Sequence, residues 1–373
     1  MHTFRPLVVG HRLAAVRERL ADLGHDALVV ASTSNLAYLT GFTGSAGYAL
    51  VTSTGGVLCV DGRYAEQAGV QLVAAGCDLD VHVERTQSGM HETMQRLIAR
   101  HRSVAYDAHE FSLAQFEALA GSSSSLRRED GLVALVRAVK DDAEIERIAF
   151  AARCADDALA SVPGLLERGG AVTERDIRDE LEYRMRRVGA DGPSYDTIVA
   201  SGENSSRPHH RPTGRSIVGG DALVIDVGAL VDGYHSDMTR TFLVGDCDAQ
   251  LVAMYEAVRE VQAGAVAMVR AGQACGAIDS WCTDEFVRRQ MGDYVAHSTG
   301  HGVGLNIHES PWLRRSVDEQ LRVNQVVTVE PGLYRVGVGG VRIEDLVVVT
   351  QTGNIVLTHS PKESPCLQSP RTT

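Results

Sequence analysis

Leu223-Val224-Ile225-Asp226-Val227-Gly228-Ala229-Leu230-Val231-Asp232-Gly233-Tyr234-His235-Ser236-Asp237 reads as an apolar strand, a two-residue turn and a returning arm, with a carboxylate set into each arm. Asp-Gly supplies the positive-φ residues of a tight hairpin turn, so Val231 should face Tyr234 across it. Carrying the ladder on puts Gly228 opposite Asp237. Asp226 lies two residues from Gly228 and shares its face, which sets Asp226 and Asp237 diagonally on one side of the sheet. A bulge in either arm would break that register. A lone carboxylate inside an apolar strand is costly to bury and asks for a cation or hydrogen-bond donors. By itself the hairpin is equally well explained by two aspartates in ordinary turns and caps.

Further along, His297-Ser298-Thr299-Gly300-His301-Gly302-Val303-Gly304-Leu305-Asn306-Ile307-His308-Glu309 sets three histidines among glycines, which let backbone approach a ligand closely. One such histidine could be a satisfied core residue, but three together favour a site. Glu330 ends the strand-like Val326-Val327-Thr328-Val329 just before Pro331-Gly332. In Val341-Arg342-Ile343-Glu344-Asp345 the alternation places Arg342 and Glu344 on one face. Four carboxylates (Asp226, Asp237, Glu330, Glu344) and the imidazole of His301 then converge. Four negative charges in one pocket cannot all stay ionised unaided, whereas two divalent cations would balance them. Oxygen-rich ligation with one nitrogen suits manganese foremost, with cobalt or zinc next.

Around this cluster, 373 residues exceed what one hydrophobic core usually serves, and two domains are expected, residues 1–139 and 140–373. The first alternates helix and strand. Leu13, Val16, Leu20 and Leu23 recur at helical spacing before Gly24, Ala27 to Val30 form a strand, and a hairpin turns at Ser53-Thr54-Gly55-Gly56. Met90 to Ile98 and Ser103 to Tyr106 repeat the helix–strand pattern, an α/β domain. The second opens with a charged amphipathic helix from Asp142, pauses at Pro163-Gly164, resumes behind the cap signal at Thr173, and becomes strand-rich, an α+β domain.

The formal charge of −12, with no Lys/Arg run, disfavours nucleic acid and anionic membrane surfaces. No apolar run reaches the ~18 residues of a membrane span. Leu7-Val8-Val9 is too short for a signal-peptide core, which points to the cytoplasm. Seven scattered cysteines, an odd count, read as reduced thiols rather than a disulfide framework.

The segments I-D-V-G-A-L-V-D-G-Y-H-S-D-M-T-R-T-F (225–242), H-S-T-G-H-G-V-G-L-N-I-H-E (297–309), T-V-E-P-G-L-Y (328–334) and G-G-V-R-I-E-D (339–345) resemble the pita-bread metallopeptidases. The branch is the Xaa-Pro one, which contains prolidase and aminopeptidase P. S-G-E-N-S-S-R-P-H-H (201–210) extends the likeness, and T-G-F-T-G-S (40–45) with V-D-G-R-Y-A-E-Q-A (60–68) resembles the creatinase-like N-terminal domain of that branch.

The resemblance implies a creatinase-like α/β domain followed by an α+β pita-bread domain, and hydrolysis of proline-containing di- or oligopeptides by two divalent metal ions. It assigns Asp226 and Asp237 to one ion, with Asp237 and Glu344 bridging to the second, which His301 and Glu330 complete. It also implies that His209, His297 and His308 line the pocket, His209 and His308 meeting the scissile carbonyl. Arg342 would orient Glu344 or meet a substrate carboxylate, and Glu330 is the candidate proton acceptor. A homodimer is implied too, with Asp61, Arg63 and Tyr64 bordering the partner's site. The long insertion of some larger prolidases between Tyr334 and Gly339 is missing, so their contacts to a substrate's C-terminal carboxylate do not transfer. The alternatives are a catalytically inactive binding protein on this fold or a creatinase-like hydrolase, both expected to have lost metal ligands.

Overall fold

In the structure, a computed structural model that describes residues 2–121, 123–167, 170–363 and 366–368, the hairpin keeps its register over its whole length. Val231 pairs with Tyr234, and Asp226 pairs with Thr239 where Ala222–Asp226 meets Thr239–Val244. Four residues separate the paired positions on each arm, so neither arm carries an inserted residue. The turn has φ of 49° at Asp232 and 81° at Gly233, as a two-residue hairpin of right-handed twist requires. Between the paired stretches the arms close in. Any Cβ at Gly228 would stand 1.9 Å from the Ser236 carbonyl oxygen, so only glycine fits there.

The chain divides into two units: Arg5–Arg137, and the residues from Ala138 onward together with the first four. The initial residues leave the first unit for a physical reason, since Phe4 packs edge-on against Phe150 at 5.3 Å with the Arg147 guanidinium over its ring. The first unit is built on a six-stranded mixed sheet in the order Asp80–Glu84, Gly55–Asp61, Tyr48–Thr52, Ala27–Val30, Val104–Tyr106, Leu126–Arg128. Met90, Met94 and Ile98 of the helix Gln87–Ile98 close an apolar core over Ala27, Val29, Leu50 and Cys59. Its hairpin is tighter than the sequence suggests. Thr52 pairs with Gly55, leaving only Ser53-Thr54 in the turn, and Gly55 and Gly56 belong to the strand.

The second unit holds two apolar cores. In one, the helices Asp142–Leu159 and Glu174–Val188 pack on the sheet formed by Ile198–Ser201, Ala222–Asp226 and Thr239–Val244. In the other, Ala249–Met268 and Cys275–Arg288 pack on Gly300–Gly302, Val326–Val329 and Asp345–Val349 and their neighbours. Asp141 and Glu144 form a capping box at the start of Asp142–Leu159, and Tyr234 donates to Glu144, which ties the helix to the hairpin. Pro163-Gly164 does not mark a pause. The break between helices falls at 160–161, and Pro163 sits in the first turn of the helix Val162–Glu167, where a missing N–H is harmless. Among the described residues no helix is long and apolar enough to cross a membrane.

Candidate metal centre

Four of the five predicted donors stand at the end of a strand or in a break between two strands, where a side chain can turn out of the sheet, and the fifth, His301, lies beside a register shift. Asp226 is the last residue of Ala222–Asp226, and Asp237 lies in the gap before Thr239–Val244. His301 is central in Gly300–Gly302, Glu330 follows Val326–Val329, and Glu344 precedes Asp345–Val349. Two different sheets therefore supply the cluster. Ligand atoms of Asp237, His301 and Glu344 all lie within 4.8 Å of one another. His301 Nε2 is 3.6 Å from Asp237 Oδ2 and 3.4 Å from Glu330 Oε1. Those spacings are long for hydrogen bonds and right for two atoms that each approach one ion at about 2.0–2.2 Å. Asp226 joins through Tyr195, whose hydroxyl is 2.5 Å from Asp226 Oδ1 and 2.5 Å from Asp237 Oδ1.

The surroundings fix how these groups present themselves. His301 Nδ1 lies 3.0 Å from the Gly302 carbonyl oxygen, so Nδ1 carries the hydrogen and Nε2 turns its lone pair toward the carboxylates. Thr239 Oγ1 donates to Glu344 Oε2 at 2.7 Å and accepts from Arg342 Nε at 3.0 Å. Arg342 spends the rest of its guanidinium on Asp226 Oδ2 at 2.5 Å, the Tyr334 hydroxyl at 2.6 Å and the Pro208 carbonyl. It is thus fastened to Asp226 directly and to Glu344 through Thr239. His297 Nε2 touches the same Tyr334 hydroxyl at 2.8 Å.

The residues fit divalent cations on several counts. Glu344 Oε1 is buried and has no hydrogen-bond partner. Burial, then the charges of Asp226 and Glu330, push the Asp237 carboxyl well above its usual range. Burial, then Asp237 and Glu330, do the same to Glu344. Burial would also raise Glu330, but His301, His297 and Arg342 overcome it and hold its pKa at about 2. Four carboxylates facing one buried guanidinium leave three negative charges to be balanced. Two divalent ions accomplish that with a donor set rich in oxygen and holding one nitrogen.

A cavity of about 480 Å³ opens over the cluster and is lined by His209, His297, Ile307, His308 and Trp312 as well as the donors. His308 meets His301 edge-on at 4.3 Å and lies parallel to Trp312 at 6.5 Å. His209 is solvent-exposed within the cavity wall, whereas its neighbour His210 is buried and bonds Glu174 Oε2 at 2.9 Å. Glu174 is itself wholly buried and accepts from the Ser201 and Thr213 backbone N–H groups, both their hydroxyls and Asn204. It clamps both ends of the segment that carries His209. Sequence reasoning missed Tyr195, Thr239, Tyr334 and Trp312. Only the threonine and the two aromatics flanking recognised donors had a local signal, and Tyr195 had none. In the first unit, Asp61 pairs with Arg63 at 2.7 Å and Tyr64 bonds Ser45 at 2.7 Å.

Donors of this kind on two apposed sheets, beneath a cavity with histidines in its wall, define a metal-dependent hydrolase with the pita-bread fold. The pattern of Metallopeptidase family M24 matches residues 146–351, and that of the Creatinase/Prolidase N-terminal domain matches residues 12–139. The chain belongs to metallopeptidase family M24, and it is a metal-dependent peptidase. It is 37% identical to an uncharacterized peptidase, YqhT, of Bacillus subtilis (strain 168), over 94% of this chain and 99% of that one. It is 30% identical to a Xaa-Pro dipeptidase of Pyrococcus horikoshii, over 95% and 99%. Among solved structures, a Xaa-Pro dipeptidase from Bacillus anthracis superposes with a TM-score of 0.89 at 34% identity, covering 96% of this chain and 99% of that one. An X-Pro aminopeptidase from Thermotoga maritima MSB8 does so with a TM-score of 0.84 at 30% identity, over 95% and 99%.

Proposed function

We propose that this protein hydrolyses the peptide bond between an N-terminal residue and proline, and that Asp226, Asp237, His301, Glu330 and Glu344 hold two divalent ions, manganese foremost, for that purpose. The observation that carries the reading is the meeting of these five donors, from two sheets, under one cavity. Bound there, such ions supply Lewis acidity, acidifying water and polarising a carbonyl. The chain supplies the rest. Glu330 keeps 18% of its side chain exposed to the cavity and is the candidate acceptor of a proton from attacking water. His209 and His308 stand in the wall where a substrate carbonyl can accept from them. The chain of His297, Tyr334 and Arg342 stops Asp226 from turning away from the cluster.

A bond before proline has no amide hydrogen, so peptidases that grip substrate as a strand lose a donor there, and a dedicated enclosed pocket serves better. Of the two arginines among the described residues that line the cavity, Arg342 is committed to Asp226, Thr239 and Tyr334. Arg211, exposed and 3.9 Å from an exposed Asp196, is the one open to a free substrate carboxylate. The relatives named above include both dipeptidases and aminopeptidases. The family resemblance also suggests a homodimer bordered by Asp61, Arg63 and Tyr64. Seven unpaired cysteines accord with a reducing compartment such as the cytoplasm.

One experiment tests the reading: rates on Xaa-Pro dipeptides, longer Xaa-Pro-Yaa peptides and matched Xaa-Ala controls, before and after chelation and with manganese, cobalt or zinc restored. Proline-dependent hydrolysis that vanishes on chelation and returns with manganese is expected. Undiminished rates in metal-free protein, or equal rates on the Xaa-Ala set, would overturn it. The ratio between dipeptides and longer peptides decides which exopeptidase this is.

A further inference from the structure

The loop that carries His308 exposes Asn306 and His308, yet it is anchored from below by an ion pair that the metal centre does not use. Lys140 Nζ donates to Glu309 Oε1 at 2.8 Å, and the side chains are only 1% and 7% exposed. Lys140 also gives a hydrogen bond to the Ala138 carbonyl at 3.2 Å, and its backbone N–H donates to the Asn324 carbonyl at 2.9 Å, so the ammonium is held in one place. The second oxygen of Glu309 accepts from the Asn306 N–H at 3.3 Å, folding the loop back on its own end. Gly304 leaves room for this carboxylate, since a Cβ there would stand 2.5 Å from Glu309 Oε1. Glu309 is also where the strand Glu309–Leu313 begins, paired with Gly302 across a register shift that falls directly after His301.

A buried ion pair is a poor source of stability, because desolvating both charges offsets most of their attraction. A hydrophobic pair would hold the core as well. What a charged pair adds is a fixed direction, and here it fixes the residue next to His308. The His308 ring makes no hydrogen bond of its own among those described and only faces His301 and Trp312. Its place over the cluster is therefore set by its backbone, and that backbone is tied down one residue later.

We propose that the Lys140–Glu309 pair is a positioning device that sets the His308 imidazole over the metal ligands. The inference rests on the reading of His308 as a group that meets substrate. A shift of about 1 Å at such a group lowers kcat by about tenfold to a hundredfold. Replacing Lys140 alone takes the ammonium from a buried carboxylate and endangers folding, so the main variant is Lys140→Met/Glu309→Gln, which removes both charges. It should fold, keep its metal content and its KM, and lose kcat. Lys140→Arg, which keeps the charge, should restore most of the rate, and Gly304→Ala, which displaces the same carboxylate from the other side, should mimic the loss.

A readout independent of activity is the fluorescence of Trp312 in metal-free protein, taken in a Trp281→Phe background. It should shift in the double variant and not in Lys140→Arg. His308→Ala supplies the control: added to it, Lys140→Met/Glu309→Gln should cause no further fall in kcat, since the pair acts through that ring. Full kcat in the folded, metal-loaded double variant, or losses that multiply with His308→Ala, would overturn the proposal. Should His308→Ala itself be fully active while the unmodified protein cleaves Xaa-Pro peptides, the role of His308 falls, and this inference with it. The peptidase reading would then still stand.

Discussion

Glu174→Gln is the most informative single substitution outside the metal centre, because it removes a charge while keeping a shape. The native carboxylate receives six hydrogen bonds, from Ser201, Asn204, His210 and Thr213. Burial alone would raise its pKa, but the donors from Asn204, His210 and Thr213 prevail and bring it from 4.5 to about 2. That lowering is worth about 3 kcal/mol. The folded-state pKa lies below the unfolded one. The contribution is therefore fully present above about pH 4.5 and is lost as the pH falls toward 2. Glutamine cannot ionise, and it turns an NH2 group toward donors that include two backbone N–H groups.

Urea unfolding of metal-free protein, followed by a probe in the second unit, should show the variant less stable by about 3 kcal/mol at pH 7. At pH 4 the wild-type advantage should narrow by about 1 kcal/mol, as protonation of the unfolded state begins to compete. kcat should fall as well, because the clamped segment carries His209. An identical stability difference at both pH values would refute the argument that charge, rather than shape, holds Ser201 to Thr213 in place. A difference below about 1 kcal/mol would refute the size assigned to the buried hydrogen bonds.

Asp237→Asn and Glu344→Gln should each lower bound metal, read by elemental analysis, and kcat by at least about a hundredfold, more than the loss typical of residues that only support ligands. Retention of full metal content in both would show that the ions are held elsewhere. Tyr195→Phe removes the hydroxyl shared by Asp226 and Asp237 and should weaken metal affinity by about tenfold while the fold is retained. Competition with a chelator measures this, and an unchanged affinity would make Tyr195 mere packing.

How much of this was legible in the sequence varies residue by residue, for physical reasons. The Asp226–Asp237 hairpin could be read because Asp232-Gly233 fixes a turn and the turn fixes every pair behind it. Glu330 and Glu344 stood out as charges at the ends of apolar strands. Tyr195 could not be found that way. It precedes Ile198–Ser201, and only the pairing of that strand with Ala222–Asp226 brings its hydroxyl to two carboxylates more than 30 residues away. His209 and His210 are indistinguishable as letters, and the buried carboxylate that claims His210 lies 36 residues upstream. The turn at Ser53-Thr54 shows the opposite failure. Two glycines after it suggested a wider loop, yet Gly56 with φ of 150° serves a strand whose Cβ would strike the Leu50 carbonyl.

The electrostatics of the cluster also weigh on the competing readings. A binding protein that had given up catalysis would gain nothing from Asp226, Asp237, Glu330 and Glu344 packed together, with the Arg342 guanidinium bonded to Asp226 alone among them. Without divalent ions such a core must hold Asp237 and Glu344 far from their ordinary carboxylate range, and it leaves Glu344 Oε1 with no partner at all. Each of these strains is relieved by replacing one acid with its amide or with an apolar residue, a single-substitution change in this setting. All four acids nonetheless stand here together with His301, oriented lone pair inward by the Gly302 carbonyl. A fold that keeps so unfavourable a set, and builds Thr239, Tyr195 and Arg342 around it to aim its oxygens, fits the proposed pair of divalent ions better than it fits either alternative.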